Sequence, residues 1–205
     1  MSLYSQPYEP AFPTICVDEK PYQLLADTTP PLPCKPGRQR RQDDQYERCG
    51  SCNLFLMFEP KTGRRVVEVT PQRTKKDFAH WLQKMACMYY PEAKKIRIVT
   101  DNLNTHNASS FYETFEAKEA RRLTELFEFH YTPLHASWLN MCEIEFSILQ
   151  RQCLGKRRLS TLEELRREVT TWQLLRNVKK ATIDWSFDLP RARSTFVRRY
   201  PSALL

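Results

Sequence analysis

The chain has 205 residues, enough for one sizeable hydrophobic core and marginal for two, and its 41% hydrophobic and 27% charged residues exclude a disordered chain. No apolar stretch approaches the ~18 residues that span a membrane, and the opening MSLYSQPYEPAFP lacks the basic end and apolar middle of a signal peptide, so a soluble cytoplasmic protein is expected. The net charge of +8 is uneven: residues 1–145 hold 19 basic and 19 acidic side chains, whereas residues 146–205 hold 13 against 5, which suits either a polyanion partner or a solvated basic helix face.

In chain order, residues 14–18 (TICVD) read as a buried strand ending in an aspartate, broken by Glu19-Lys-Pro21. Residues 28–50, rich in Pro, Gly and charge, read as a long surface loop. Residues 53–58 and 65–69 form an antiparallel hairpin around the turn from Glu59 to Gly63. Thr74, with Asp77 three residues on, opens a helix whose Phe78, Trp81, Leu82, Met85 and Met88 share one face, and Pro91 stops it. The strand 95–101 again ends in an aspartate. A polar turn, residues 102–106, leads to a charged helix over about 109–125 and a strand over 126–131. Helical spacing resumes at Trp138. Ser160-Thr-Leu-Glu163 is a capping box for a last helix with Leu162, Leu165, Val169, Trp172 and Leu175 on one face, and the tail from 181 reads as an irregular basic wrap. An antiparallel start followed by alternating strands and helices predicts an α/β domain with a mixed sheet and helices on both faces.

Seven cysteines, an odd number, stand mostly among apolar neighbours; the single C-x-x-C, Cys49 to Cys52, has no second pair to complete a zinc tetrad. The acids are more informative. Asp18 and Asp101 both stand where a buried strand runs out, and ligand sites of α/β sheets lie at the carboxyl ends of strands. Two neighbouring carboxylates suit an oxygen-preferring Mg²⁺ or Mn²⁺; the plainer reading is that each caps the turn after it. Around Asp101 the turn Asp101-Asn-Leu-Asn-Thr-His106 holds more polar side chains than a cap requires. Glu143 and Glu145 stand within an apolar run, residues 132–150. At 100° per residue each lies about 80° to one side of the stripe Leu139, Cys142, Phe146, Leu149 and Cys153, so amphipathicity does not choose between them.

Three segments, Cys16-Val-Asp18-Glu-Lys-Pro21, Asp101-Asn-Leu-Asn-Thr-His106 and Thr132-Pro-Leu-His135-Ala-Ser-Trp-Leu-Asn140-Met-Cys-Glu143, resemble the acidic motifs of a DDE transposase catalytic domain, of the bacterial insertion-sequence branch of the mariner superfamily. Further similar stretches are Arg48 to Phe55, Ile183 to Phe187, Ala192-Arg193 and Tyr200-Pro201, so the resemblance runs in order along nearly the whole chain.

The resemblance implies a ribonuclease-H-like fold, a mixed five-stranded sheet flanked by helices on both faces. Residues 1–205 would be one catalytic domain, with 146–205 its basic helical segment. It implies an enzyme: a DNA endonuclease and strand transferase, acting in transposition of an insertion sequence through two Mg²⁺ or Mn²⁺ ions held by Asp18, Asp101 and Glu143. Motif order picks Glu143 and leaves Glu145 as a flanking acid with a basic or solvent partner. The implied partner is double-stranded DNA, both element ends and target, held by a homodimer on the bacterial nucleoid. Lys35, Arg38, Arg40 and Arg41 in the long loop, with Arg157, Arg158, Lys179 and Lys180, would hold phosphates; His106, His135, Trp138 and Asn140 would meet DNA near the acids. The gap of 42 positions from Asp101 to Glu143 exceeds the commonest spacing, the extra length falling in the helix near 109–125. With 13 residues before the first strand, no helix-turn-helix region is expected in this chain; it would be a catalytic fragment, or one product of a split element whose N-terminal DNA-binding half is encoded separately. The rival readings are a ribonuclease-H-like nuclease without strand transfer, and a non-catalytic DNA-binding or assembly module of a decayed element.

Overall fold

Alternation of apolar side chains with period two builds a central sheet covered on both faces. The structure, a computed structural model, describes residues 2–101, 107–133 and 136–185. Strands β1 (Thr14–Asp27), β2 (Tyr46–Glu59), β3 (Arg64–Thr70), β4 (Ile96–Thr100) and β5 (Phe127–Tyr131) lie in the order β3-β2-β1-β4-β5. The first three run antiparallel, and β4 and β5 join parallel to β1, so the sheet is mixed as expected. The helices are α1 (Ser2–Ser5), α2 (Lys75–Tyr89), α3 (Ser109–Thr114), α4 (Ala117–Leu126), α5 (Met141–Leu149) and α6 (Leu162–Val178). A 3₁₀ turn, Ser137–Leu139, leads into α5, and a π turn, Gln150–Leu154, continues it.

Successive strand residues divide between two core layers. Ile15, Val17, Phe55, Met57, Ile96 and Ile98 pack with buried residues of α2, α3 and α4. Cys16, Leu54, Leu56, Phe58, Val67 and Val99 pack with α5 and α6. Edge strand β3 is not left bare. Side chains of α6 spaced along one stripe take its outward backbone groups: Asn177 Oδ1 accepts from Arg65 N (2.9 Å) and its Nδ2 donates to Arg65 O (2.8 Å), Gln173 Oε1 accepts from Val67 N (2.6 Å), and Arg166 donates to Val69 O. A polar helix stripe thus stands in for a sixth strand and blocks edge-to-edge pairing.

Several elements differ from the sequence reading. β1 runs to Asp27 rather than stopping before Pro21, and β2 begins at Tyr46, so the expected loop 28–50 shortens to 28–45. β4 accompanies β1 only to Cys16, paired with Val99, so Pro21 stands on a strand with one neighbour, where proline is tolerated. The two strands project as a long arm with a bulge where Leu24 pairs with Gly50 and Leu25 with Arg48; Gly50, at φ +111°, supplies the backbone shape, and Cys49 is the bulged residue. The predicted helix 109–125 is two helices, because Phe115 and Glu116 are extended between α3 and α4. The last helix is capped one residue later than expected, with Thr161 Oγ1 accepting from Glu164 N (3.1 Å). Met88 and Leu175, placed on buried faces by periodicity, are exposed.

Candidate active site

Asp18 and Asp101 each follow by two residues the last aligned β1–β4 pair, Cys16 with Val99, and so stand at the same edge of the sheet. Cys16 and Val99 belong to the layer under α5 and α6, and the period of two gives Asp18 and Asp101 that same side. Glu143 stands in the first turn of α5, the helix covering this side. The strands and helix converge on one edge, as expected from the two acids. Among the described residues, however, no three His, Cys, Asp or Glu side chains are close enough together to hold one ion.

Asn140 links the parts. It is fully buried and is the N-cap of α5: its Oδ1 accepts from Cys142 N (3.1 Å). Its Nδ2 donates to the Val17 carbonyl (2.9 Å) and reaches Asp18 Oδ2 (3.5 Å), while Asp18 Oδ1 accepts from the Glu19 amide (2.8 Å). The expectation that Asn140 contacts DNA does not fit a side chain enclosed in this way. Below the same turn, the Tyr4 hydroxyl donates to the Leu139 carbonyl (2.9 Å) and lies 3.3 Å from Cys16 Sγ, its ring edge-on to Trp185. Burial holds the Tyr4 hydroxyl in its protonated, donating form.

The two glutamates of α5 have opposite surroundings. Glu143 is exposed, and among the described residues its carboxylate has no hydrogen-bond or ion-pair partner. Glu145 is fully buried and bound by two arginines from different elements: Arg65 Nε of β3 at 2.9 Å and Arg176 of α6 at 3.0 Å. Arg65, itself fully buried, also donates to Asn177 Oδ1 and the Ala181 carbonyl and lies over the Phe58 ring. Burial pulls the Arg65 guanidinium below its usual range and Glu145 pushes it back. Glu145 therefore has the basic partner expected of it, but as the centre of a buried network rather than as an ordinary flanking acid. The signal missed in the sequence is the alternation of β3, which turns one of the paired Arg64 and Arg65 inward.

The nearby thiols do not offer a second chemistry. Burial pushes Cys16 up to about 12 and Cys142 well above the usual thiol range, which favours the protonated thiols and does not suit a nucleophile. The donor set at this edge consists of carboxylates, which suits an oxygen-preferring divalent cation.

A family model, described as DDE superfamily endonuclease, matches residues 13–166, an interval that contains Asp18, Asp101 and Glu143. The chain belongs to the DDE superfamily endonucleases. The fold agrees: the crystal structure of the Mos1 mariner paired end complex with Mn superposes at a TM-score of 0.58 with 13% identity, covering 87% of this chain and 54% of the other. The Mos1 transposase paired-end complex with left transposon end gives 0.57 and 13% identity over 82% and 50%, and the Mos1 Strand Transfer Complex 0.56 and 12% over 78% and 47%. The chain thus spans about half the length of these transposase chains and shares their ribonuclease-H-like fold. No curated protein matches the sequence.

In this DDE endonuclease the other residues expected at DNA fall into three groups. Lys35, Arg38, Arg40 and Arg41 are exposed at the tip of the β1–β2 arm, where bridges from Leu32 to Arg41 and Lys35 to Arg38 shape the loop. Lys179 and Lys180 are exposed after α6; the Lys180 backbone packs against Gly63, where a Cβ would stand 2.7 Å from its carbonyl. Trp138 is 40% exposed in the turn before α5. By contrast, Arg158 is a strut of the arm: it donates to Asp27 (2.7 Å) and to the carbonyls of Gln45 (2.8 Å) and Asp43 (2.6 Å), and lies over Tyr46. Arg157 binds Glu168 at 2.8 Å. Both have partners within the chain that the charge count did not reveal. His106 and His135 lie outside the described residues.

Proposed function

We propose that the chain is a transposase catalytic domain that cuts double-stranded DNA and joins the freed ends to a target, with Asp18, Asp101 and Glu143 holding two Mg²⁺ or Mn²⁺ ions. The observation that supports this most is the freedom of Glu143: an acid in the first turn of α5, exposed, on the helix that Asn140 ties to Asp18. When bound, a pair of divalent ions supplies an activated water or 3′ hydroxyl and stabilises the leaving oxygen of a phosphodiester. The chain's own part is placement. The sheet edge would hold two acids, α5 would bring the third, and the buried layer beneath would keep them in register.

The exposed Lys35, Arg38, Arg40 and Arg41 of the arm and Lys179 and Lys180 would follow the phosphate backbone without reading bases, so binding would weaken steeply with salt. Trp138, at the rim of the acidic edge, would stack on a base. Arg157, exposed beside Glu168, would add to this surface, whereas the half-buried Arg158 and the enclosed Asn140 would not. On DNA the chain would act as a homodimer across paired ends. No described helix is long and apolar enough to cross a membrane.

The test combines metal binding with cleavage. Millimolar Mn²⁺ should raise the melting temperature of the parent by mass action, and Asp18→Asn or Asp101→Asn should remove that shift and the nicking of supercoiled plasmid. Pre-cut ends offered with a target plasmid then separate joining from hydrolysis. Full metal response and nicking in both variants would remove these residues from the site.

A further inference from the structure

We infer that Asn140 is a positioning residue that ties Asp18 on β1 to Glu143 on α5, so that neither carboxylate is placed independently of the other. This rests on the reading of Asp18 and Glu143 as metal ligands, but the coupling itself is a matter of geometry. β4 pairs with β1 only as far as Cys16. At the next residue the Val17 carbonyl is taken by Asn140 Nδ2 at 2.9 Å, so the side chain continues the ladder where the strand has stopped. The same Nδ2 lies 3.5 Å from Asp18 Oδ2, and the other Asp18 oxygen accepts from Glu19 N.

At its other end Asn140 organises α5. Oδ1 caps the Cys142 amide, and the Asn140 carbonyl accepts from Glu143 N at 3.1 Å. The Asn140 amide is itself bound to Ser137 O at 2.7 Å, in the 3₁₀ turn. This last bond has a chemical consequence. In a closed capping box the acid three residues into the helix reaches back to the N-cap amide. Here that amide is already bound, so the Glu143 carboxylate is not drawn into the cap. One buried side chain therefore orients Asp18, starts the helix of Glu143 and belongs to a turn that leaves Glu143 available. A residue serving only as a cap would need no contact with β1.

The test uses the full chain and two variants whose residues are accepted at the N-cap position. Serine retains a capping oxygen and glycine is tolerated at N-cap positions, yet neither reaches Val17 or Asp18. Asn140→Ser and Asn140→Gly should melt within a few degrees of the parent. Two readouts then distinguish coupling from capping: amide hydrogen exchange at Glu19 and Cys142, and the Mn²⁺ concentration giving half the maximal thermal shift without DNA. Coupling predicts at least about tenfold faster exchange at Glu19 on β1 in both variants, and a Mn²⁺ midpoint raised at least about tenfold. Parental exchange at Glu19 together with a parental Mn²⁺ midpoint would overturn the inference and leave Asn140 a cap. If the parent shows no Mn²⁺ shift, the metal reading fails, and exchange at Glu19 alone decides: faster exchange sustains the coupling, unchanged exchange removes it.

Discussion

Helices α2 and α5 begin with the same spacing, a capping residue followed three positions later by an acid, and use the acid differently. At α2 the box is closed: Thr74 Oγ1 accepts from Asp77 N at 3.2 Å, and Asp77 Oδ2 accepts from Thr74 N at 2.8 Å. At α5 the cap residue Asn140 has its amide taken by Ser137, and Glu143 faces out. The difference lies in what precedes the helix. A 3₁₀ turn before α5 supplies the acceptor that the acid would otherwise supply, so the same local pattern yields a structural carboxylate in one place and an available one in the other.

The largest effect expected from this contrast is on chemistry. Glu143→Gln should leave unfolding free energy within about 0.5 kcal/mol of the parent, because an exposed side chain without partners is changed. Nicking of supercoiled plasmid should fall to background. If nicking survives in Glu143→Gln, the acid at this helix start is not a ligand and the three-carboxylate site is wrong.

Two residues along the same helix, Glu145→Gln should do the opposite. It leaves Arg65 and Arg176 facing a neutral amide in a dry layer, and breaking one member of a buried ion group costs about 3–5 kcal/mol. Urea unfolding would show it as a lower midpoint at unchanged slope, with the fraction still folded retaining metal-dependent nicking. A midpoint equal to that of the parent would mean that water reaches the arginines and that the layer is not sealed.

How much of this was readable from the sequence follows from how local each signal is. The α2 start, the hairpin turn and the apolar stripe of α5 depend on neighbours within a turn or two, and they stand where periodicity puts them. The acids at the ends of β1's first half and of β4 were also visible, since each closes an apolar run. What was not visible depends on distant partners. Arg65 stands 80 positions from Glu145 and Arg176 stands 31 from it, so only the packing of β3 and α6 on α5 reveals the network. The arm was hidden because Tyr46 to Ser51 are exposed, and a strand without a buried face shows no alternation. Nothing in the charge count distinguishes Arg158, half-buried and bound where the loop leaves the arm's strands, from Arg40, exposed in that loop.

A smaller effect sharpens the α2 side of the contrast. Thr74→Ala opens the closed box and should cost about 1 kcal/mol, with plasmid nicking unchanged because α2 packs on the sheet face away from α5. Reduced nicking at full stability would show that the two faces communicate, and would weaken the division between structural and available acids.

The smallest effect concerns a third kind of acid, Glu59, at the end of β2. It is fully buried, and its Oε2 accepts from the Thr62 hydroxyl. Unlike Glu145 it has no arginine in salt-bridge contact among the described residues, and burial raises its pKa against the opposing pull of Thr62, Arg64, Tyr8 and Tyr90. The sign follows from proton binding. A carboxyl whose pKa is higher folded than unfolded binds protons more readily in the native state, so its contribution is most favourable in acid. That contribution is lost as pH rises from the ordinary carboxylate value through the raised one, and is flat above it. Glu59→Gln keeps the shape and removes the charge. It should therefore gain stability on the parent at pH 7 and lose that advantage near pH 4, in thermal melts recorded across that range. A constant difference at all pH values would mean that Glu59 titrates alike in both states, and that a buried acid at this turn needs no arginine to stay ionised.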